Sequence, residues 1–77
     1  MQYNNRDNFK KYLFALSFCS AEYGTTYGFV CTDGERTVAR VIDLSCDRSF
    51  AEAVVSLLND AQPSPAQLPD VIEDLLP

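Results

Sequence analysis

The sequence contains no histidine and no tryptophan. Without histidine the commonest general base is missing, and Ser–His and Cys–His nucleophile pairs are excluded. The three glycines, Gly24, Gly28 and Gly34, are isolated from one another, so the chain has no glycine-rich phosphate-binding loop. We therefore expect no catalytic residue and no enzyme activity.

Long apolar stretches are also missing. No run approaches the roughly 20 residues that a membrane-spanning helix needs. The first residues, Met1 to Asn8, are polar and lack the apolar segment of a secretory signal. These absences predict a cytoplasmic protein that does not associate with membranes.

The three cysteines, Cys19, Cys31 and Cys46, are widely spaced and form no C-x-x-C pair. In a reducing compartment such thiols are usually small buried apolar residues, which is the expectation here. Without histidine or clustered cysteines, no zinc site and no cofactor is predicted. A thiol-based sensor or enzyme is kept as a minor hypothesis.

Basic residues are absent from residues 49–77, which contain Glu52, Asp60, Asp70, Glu73 and Asp74. Residues 1–48 carry six basic and six acidic side chains, so the entire net charge of −5 lies in the C-terminal part. Binding to DNA or RNA requires basic side chains that displace counterions from phosphates. The charge distribution therefore predicts no direct nucleic-acid binding.

The 77 residues, 47% of them hydrophobic, suffice for a single domain with one core. We assign residues 1–9 to a polar tail and residues 10–77 to the domain. Residues 10–22 alternate apolar side chains with period two, which favours a strand over the rival helix. Residues 26–32 and 37–44 are rich in β-branched and aromatic side chains and are predicted as two further strands.

The turns predict how the strands pair. Tyr23-Gly24-Thr25 is the first turn, and Asp33-Gly34 is typical of a two-residue hairpin turn. If Asp33-Gly34 is the tight form, the predicted pairs are Thr32–Glu35, Val30–Thr37, Gly28–Ala39 and Thr26–Val41. Tyr27 then neighbours Arg40, where the two could form a cation–π pair.

Two helices are predicted after the strands. Ser49 and Glu52 have the spacing of a capping box, and Asp47 can act as a cap or dipole residue. An apolar stripe follows at helical spacing: Phe50, Val54, Leu57, Leu58 and Ala61. Ser64 and Gln67 form a second capping box, and Pro69 leaves open a continuous helix or a short turn before a new helix. The second stripe is Leu68, Val71, Ile72, Leu75 and Leu76.

These elements predict an α+β fold in which a three-stranded antiparallel meander carries two C-terminal α-helices on one face. The predicted helix-facing residues are Tyr12, Phe14, Leu16, Phe18, Val30, Ala39 and Val41. The opposite face is predicted to hold Leu13, Ala15, Ser17, Cys19, Tyr27, Phe29, Cys31, Val38, Arg40 and Ile42. Two short helices cannot cover both faces, and an uncovered apolar face is typical of an interface.

We therefore predict a non-catalytic protein-binding module, regulatory or adaptor in role. The candidate partner-binding residues are Leu13, Tyr27, Phe29, Val38, Arg40 and Ile42. The partner is another protein or a second copy of the chain. Alternatively, the N-terminal tail covers this face through Tyr3 and Phe9.

The acidic C-terminal part supports a second hypothesis. Asp70, Glu73 and Asp74 lie at i, i+3 and i+4 and form an acidic patch on the last helix. Such a patch could belong to a small inhibitor from a mobile element, of the anti-CRISPR or DNA-mimic type, that blocks the basic channel of a nuclease. The simpler interpretation is a solvated helix face.

The C-terminal half also carries a resemblance. The residues that carry it are Ile42-Asp43-Leu44-Ser45, Asp47-Arg48, Val55, Leu58, Asn59, Ser64-Pro65, Leu68 and Asp70-Val71-Ile72-Glu73-Asp74-Leu75, together with Tyr27-Gly28. They resemble a small uncharacterised bacterial family. In that family a D-I/L-S-x-D junction precedes a helix, and an S-P-x-x-L-x-D-V-I-E-D-F/L segment ends the chain. The resemblance covers residues 10–76 and implies a β-β-β-α-α architecture. The family has no assigned activity, so the resemblance implies none here.

Overall fold

The computed structural model describes residues 11–76, which form one antiparallel sheet followed by two helices. The strands are β1 (Leu13–Ala21), β2 (Gly24–Asp33) and β3 (Arg36–Ser45), in the order β1-β2-β3. The helices are α1 (Arg48–Ala61) and α2 (Leu68–Leu75), separated by one 3₁₀ turn over Pro65–Gln67. The predicted α+β meander is confirmed. No helix in this part of the chain combines the length and the apolar character that crossing a membrane requires.

Both hairpin turns differ from their predictions. The first was predicted as the three residues Tyr23-Gly24-Thr25 but is the two-residue turn Glu22-Tyr23, with Ala21 opposite Gly24. The second is Gly34-Glu35, closed by the pair Asp33–Arg36. Gly34 has φ 68° at the first central position, the position that glycine occupies in type II′ hairpins. The predicted pairing of β2 with β3 is therefore wrong.

The correction also reverses the two faces of β2. Beyond the pair Thr32–Thr37 the register shifts by one residue, because Val38 is an extra residue on β3. Cys31 then lies opposite Ala39, and the strand continues with Val30 opposite Arg40 and Phe29 opposite Val41. Val30 thus pairs three residues further along β3 than predicted. A shift by an odd number exchanges the two faces of a strand.

The core lies between the sheet and the helices. Its buried members are Phe14, Phe29, Cys31, Val54, Leu58 and Leu68. Phe14 and Phe29 meet edge to face, with ring centroids 5.9 Å apart and planes at 65°. Tyr12, Ala39 and Val41 pack against this cluster from the same sheet face, as predicted. Val30 does not belong to it, because it lies on the opposite face of β2.

Helix α1 begins earlier and turns a slightly different face inward than predicted. Asp47 is its N-cap, and its carboxylate accepts hydrogen bonds from the amides of Ser49 (2.9 Å) and Phe50 (3.3 Å). The capping role of Asp47 is confirmed and the Ser49–Glu52 capping box is wrong. Glu52 binds the Arg48 side chain instead, at 3.0 Å.

The inward stripe of α1 is shifted accordingly. Ala51, Val54 and Leu58 are buried, whereas Leu57 is 45% exposed and Ala61 is also exposed. The predicted stripe was therefore partly wrong. Val54 and Leu58 contact the core. Ala51 lies one helical turn before Val54 on the same side of the helix, so it faces the sheet, whereas Leu57 does not.

The connection to α2 follows the second of the two predicted alternatives, a short turn before a new helix. The Gln67 side chain reaches back and accepts a hydrogen bond from the Ser64 amide at 3.0 Å. Pro69 lies in the first turn of α2, where its missing N–H leaves no intrahelical bond unmade. Leu68 is buried, and Val71, Ile72 and Leu75 pack against the core.

A candidate protein-binding surface

The sheet face opposite the helices forms a surface that we call the outer face. Its apolar members and one arginine are Leu13 and Ala15 from β1, Val30 from β2, and Val38, Arg40 and Ile42 from β3. The same face also carries the small polar residues Ser17, Cys19, Thr26 and Thr32. The registers place Ala15, Val30 and Arg40 in one row across the sheet. The helices pack on the other face, around Phe14 and Phe29.

The outer face is largely apolar and open to solvent. Leu13 is 62% exposed, Ile42 66% and Val38 36%. Ala15 is also exposed and Val30 is half-buried. The uncovered face of an antiparallel sheet normally carries polar side chains. Here the polar side chains Ser17, Thr26 and Thr32 are interspersed with exposed apolar ones, of which Leu13 and Ile42 are the most exposed. An apolar face of this kind is characteristic of a binding surface.

Two predicted members of the surface do not lie on it. Phe29 is fully buried in the core, and Tyr27 lies on the helix side, where it pairs with Phe18. Cys31 is likewise a core residue. The physical reason is the extra residue Val38, which exchanges the faces of β2. Tyr27 and Arg40 therefore point to opposite sides of the sheet, and the predicted cation–π pair is wrong.

Gly28 allows β3 to approach β2 closely beneath Ile42. A Cβ atom at Gly28 would collide with the carbonyl group of Val41, so only glycine fits. The register shifts again here, from Phe29–Val41 to Tyr27–Ser45, and Asp43 adopts a positive φ of 66°. These two irregularities were not predicted. An isolated glycine within a strand is the one sequence signal that could have indicated them.

An open groove within residues 11–76 is relevant to a binding site. It has a volume of about 470 Å³ and lies between the end of β3 and the end of α2, lined by Leu44, Ser45, Asp47, Phe50 and Leu76. Its one carboxylate, Asp47, is already engaged as the helix cap. Across residues 11–76 no three histidine, cysteine or acidic side chains come together as metal ligands.

The three cysteines differ in their environments. Cys31 is fully buried, whereas Cys19 and Cys46 are exposed, so the prediction of buried thiols holds for one of the three. Burial raises the pKa of the Cys31 thiol, and the nearby Asp33 carboxylate raises it further. Cys31 is thus protonated and shielded, the opposite of a reactive thiolate.

The predicted acidic patch lies on the solvent side of α2. Asp70, Glu73 and Asp74 are all exposed, and Asp70 is in the first turn of the helix. A carboxylate in that position interacts favourably with the helix dipole. Residues 68–76 contain no basic side chain, so this surface is uniformly negative.

A feature that the sequence did not predict lies at the free edge of β1. The Asn59 carboxamide accepts a hydrogen bond from the Phe14 amide and donates one to the Phe14 carbonyl, both at 2.9 Å. Gln62 binds Tyr12 in the same way, at 2.9 and 2.8 Å. The two side chains thus take the place of a neighbouring strand. We call this arrangement the amide clasp.

The helix end positions the clasp. Gln62 is the C-cap of α1 in the left-handed conformation, with φ 53°, and its amide donates to the Leu58 carbonyl at 2.8 Å. Its side chain also donates to the Asn59 carbonyl at 3.0 Å. The spacing of Asn59 and Gln62, three residues apart on one helix side, was visible in the sequence. Nothing local indicated that they would meet a strand 45 to 50 residues earlier.

The comparisons with known proteins found no matching family model, no matching curated protein and no matching solved structure. The family resemblance of the C-terminal half therefore stays a prediction. Tyr3 and Phe9, the residues through which the tail was alternatively predicted to cover the sheet, lie outside the described residues.

Proposed function

We propose that the protein is a non-catalytic protein-binding module, regulatory or adaptor in role, that binds its partner through the outer face. The exposure of Leu13 and Ile42 on the side of the sheet away from both helices is the observation that supports this most strongly. Removing such side chains from water is worth roughly 25 cal/mol per Å² of apolar surface. A partner that covers both of them would gain a substantial part of its affinity from this contact.

Arg40 adds specificity to the proposed contact. It lies beside Val30 on the outer face and is exposed. Arginine among apolar side chains is a common anchor of interfaces, because its guanidinium can bind a carboxylate through two hydrogen bonds while its stem packs on apolar groups. The surface thus suits a partner with an apolar patch and an acidic residue near its centre.

The experiment is affinity capture with the full chain from a lysate of the source organism, using wild type, Leu13→Lys and Ile42→Lys. Ala53→Lys is the matched control, because it adds the same charge at an exposed position of α1. We expect both outer-face variants to lose the captured protein while the control retains it. Unchanged capture by both outer-face variants would refute the proposal.

The acidic patch supports a second candidate, an inhibitor that occupies the basic channel of a nuclease. Its specific support is the run of exposed carboxylates Asp70, Glu73 and Asp74 on a helix without basic residues. In this case partner binding should weaken steeply with salt, because exposed charges are screened. It should also be lost in a variant that combines Asp70→Asn, Glu73→Gln and Asp74→Asn. Binding that depends on Ile42 and is insensitive to salt would exclude this candidate.

A further inference from the structure

The free edge of β1 is divided into an occupied half and an open half. Along an antiparallel strand, alternate residues direct both backbone groups to the same side. Tyr12 and Phe14 direct theirs to the amide clasp. Leu16, Phe18 and Ser20 therefore direct their N–H and C=O groups to the same edge, beyond the reach of Asn59 and Gln62.

These three residues lack a strand partner on that side within residues 11–76. One weak contact exists there, from the Cys19 thiol to the Ser20 carbonyl at 4.0 Å. The whole strand, Leu13–Ala21, contains no charged residue, no proline and no glycine. Free edges with this composition readily accept another strand.

The other edge of the sheet, formed by β3, is protected. It carries the charged residues Arg36, Arg40 and Asp43. Its two register shifts and the positive φ of Asp43 also distort the backbone. Charges and bulges are the usual devices that keep an edge from pairing. The contrast restricts strand addition to β1.

We propose that a second copy of the chain pairs with this edge, β1 against β1 in antiparallel orientation, about a two-fold axis at Phe18. In this register Phe18 lies opposite Phe18 of the second copy, and Leu16 lies opposite Ser20 of the second copy. All three open residues then exchange both backbone hydrogen bonds. If one strand is shifted by two residues relative to the other, one of these pairs is lost. In one direction the partner would be Phe14, whose backbone groups are bound by the clasp, and in the other it would be Glu22 in the turn.

Phe18 supports the same occupant. It lies on the helix side of the sheet but is 73% exposed. It lines a shallow groove of about 290 Å³ with Ser20, Thr25, Tyr27 and Arg48. In the proposed dimer the two Phe18 rings are directly opposed and shield each other from water. Aromatic cross-strand pairs of this kind stabilise sheets.

This inference is independent of the proposed function, since it uses the strand edge and not the outer face. Its test is the solution mass of the full chain over a concentration series, by light scattering or sedimentation. Phe18→Lys opposes two like charges at the axis and should give a monomer. Tyr23→Lys, at a 77% exposed turn position off the ladder, is the matched control and should stay dimeric. Circular dichroism establishes that each variant is folded.

Cross-linking tests the register. In a Cys19→Ser, Cys46→Ser background, Phe18→Cys places two thiols opposite each other at a Cα separation of roughly 5.5 Å, which a disulfide can bridge. We expect rapid dimer formation under mild oxidation, and little from Ser17→Cys in the same background. A monomeric wild type overturns the proposal. A dimer that is dissociated by Ile42→Lys but not by Phe18→Lys also overturns it. Preferential cross-linking at position 17 would do the same.

Discussion

The amide clasp makes a quantitative prediction about folding stability. In Asn59→Ala the Phe14 amide and carbonyl each lose a partner at 2.9 Å. A hydrogen bond contributes about 0.5–1.5 kcal/mol net, so two contribute about 1–3 kcal/mol. Alanine regains up to roughly 0.7 kcal/mol of helix propensity. We therefore expect the free energy of unfolding to fall by about 0.3–2.3 kcal/mol.

The assay is urea unfolding followed by circular dichroism, together with thermal unfolding. For a chain of this size, each kcal/mol corresponds to roughly 4–8 °C in Tm. Ser56→Ala is the matched control, because Ser56 is exposed on the same helix and gains the same propensity without touching β1. Gln62→Ala is less informative, because the Gln62 side chain also donates to the Asn59 carbonyl at the end of α1, so the substitution changes the helix end as well as the clasp.

Hydrogen exchange gives the prediction a local readout. In Asn59→Ala the Phe14 amide should exchange much faster, whereas Ala15, whose partner in the β1–β2 ladder is Val30, should be unchanged. If Asn59→Ala is as stable as Ser56→Ala and the Phe14 amide is still protected, the clasp does not hold the strand and the reasoning is wrong.

Two further predictions concern residues of β2. Gly28→Ala should destabilise the fold by about 1–3 kcal/mol in urea unfolding, because the added methyl group meets a backbone carbonyl of the neighbouring strand; wild-type stability would contradict the close approach. With a chromogenic thiol reagent, Cys19 and Cys46 should react at once in the native protein and Cys31 only on unfolding, because its pKa is raised by burial and by the nearby Asp33. Fast labelling of all three thiols would contradict the burial of Cys31.

Sequence reasoning predicted those parts of the fold whose signals are local. The alternation of Tyr12, Leu13 and Phe14 was sufficient to place β1 and its two faces. Helical spacing was sufficient for α2 except at Leu76, which was predicted on the inward stripe but follows the end of the helix and is 43% exposed. The faces of β2 could not be predicted in this way. They depend on the bulge at Val38, where β3 has one residue more than β2. The position of this bulge depends on how β2 and β3 pack against each other, and no local sequence preference indicates it.

The candidate surface was affected by the same irregularity. Leu13, Val38, Arg40 and Ile42 lie on strands whose faces were predicted correctly, so they remain on the outer face. Phe29 lies in the core instead.

The start of α1 could not be chosen from the sequence. Asp47 and Ser49 were both predicted as possible caps, and both are good N-cap residues. The choice followed from where β3 ends, since the Ser45 side chain accepts a hydrogen bond from the Asp47 amide at 3.0 Å.

The two proposals have a joint consequence that neither has alone. The two-fold axis of an antiparallel strand pair is perpendicular to the sheet, so both outer faces of the proposed dimer lie on the same side. Two adjacent binding surfaces raise the avidity for a partner that presents its own site twice. Phe18→Lys should then weaken partner capture without abolishing it, and Ile42→Lys should abolish capture while the dimer persists. If both variants lose dimer and partner together, the edge and the outer face are not separate surfaces, and the division between them is wrong.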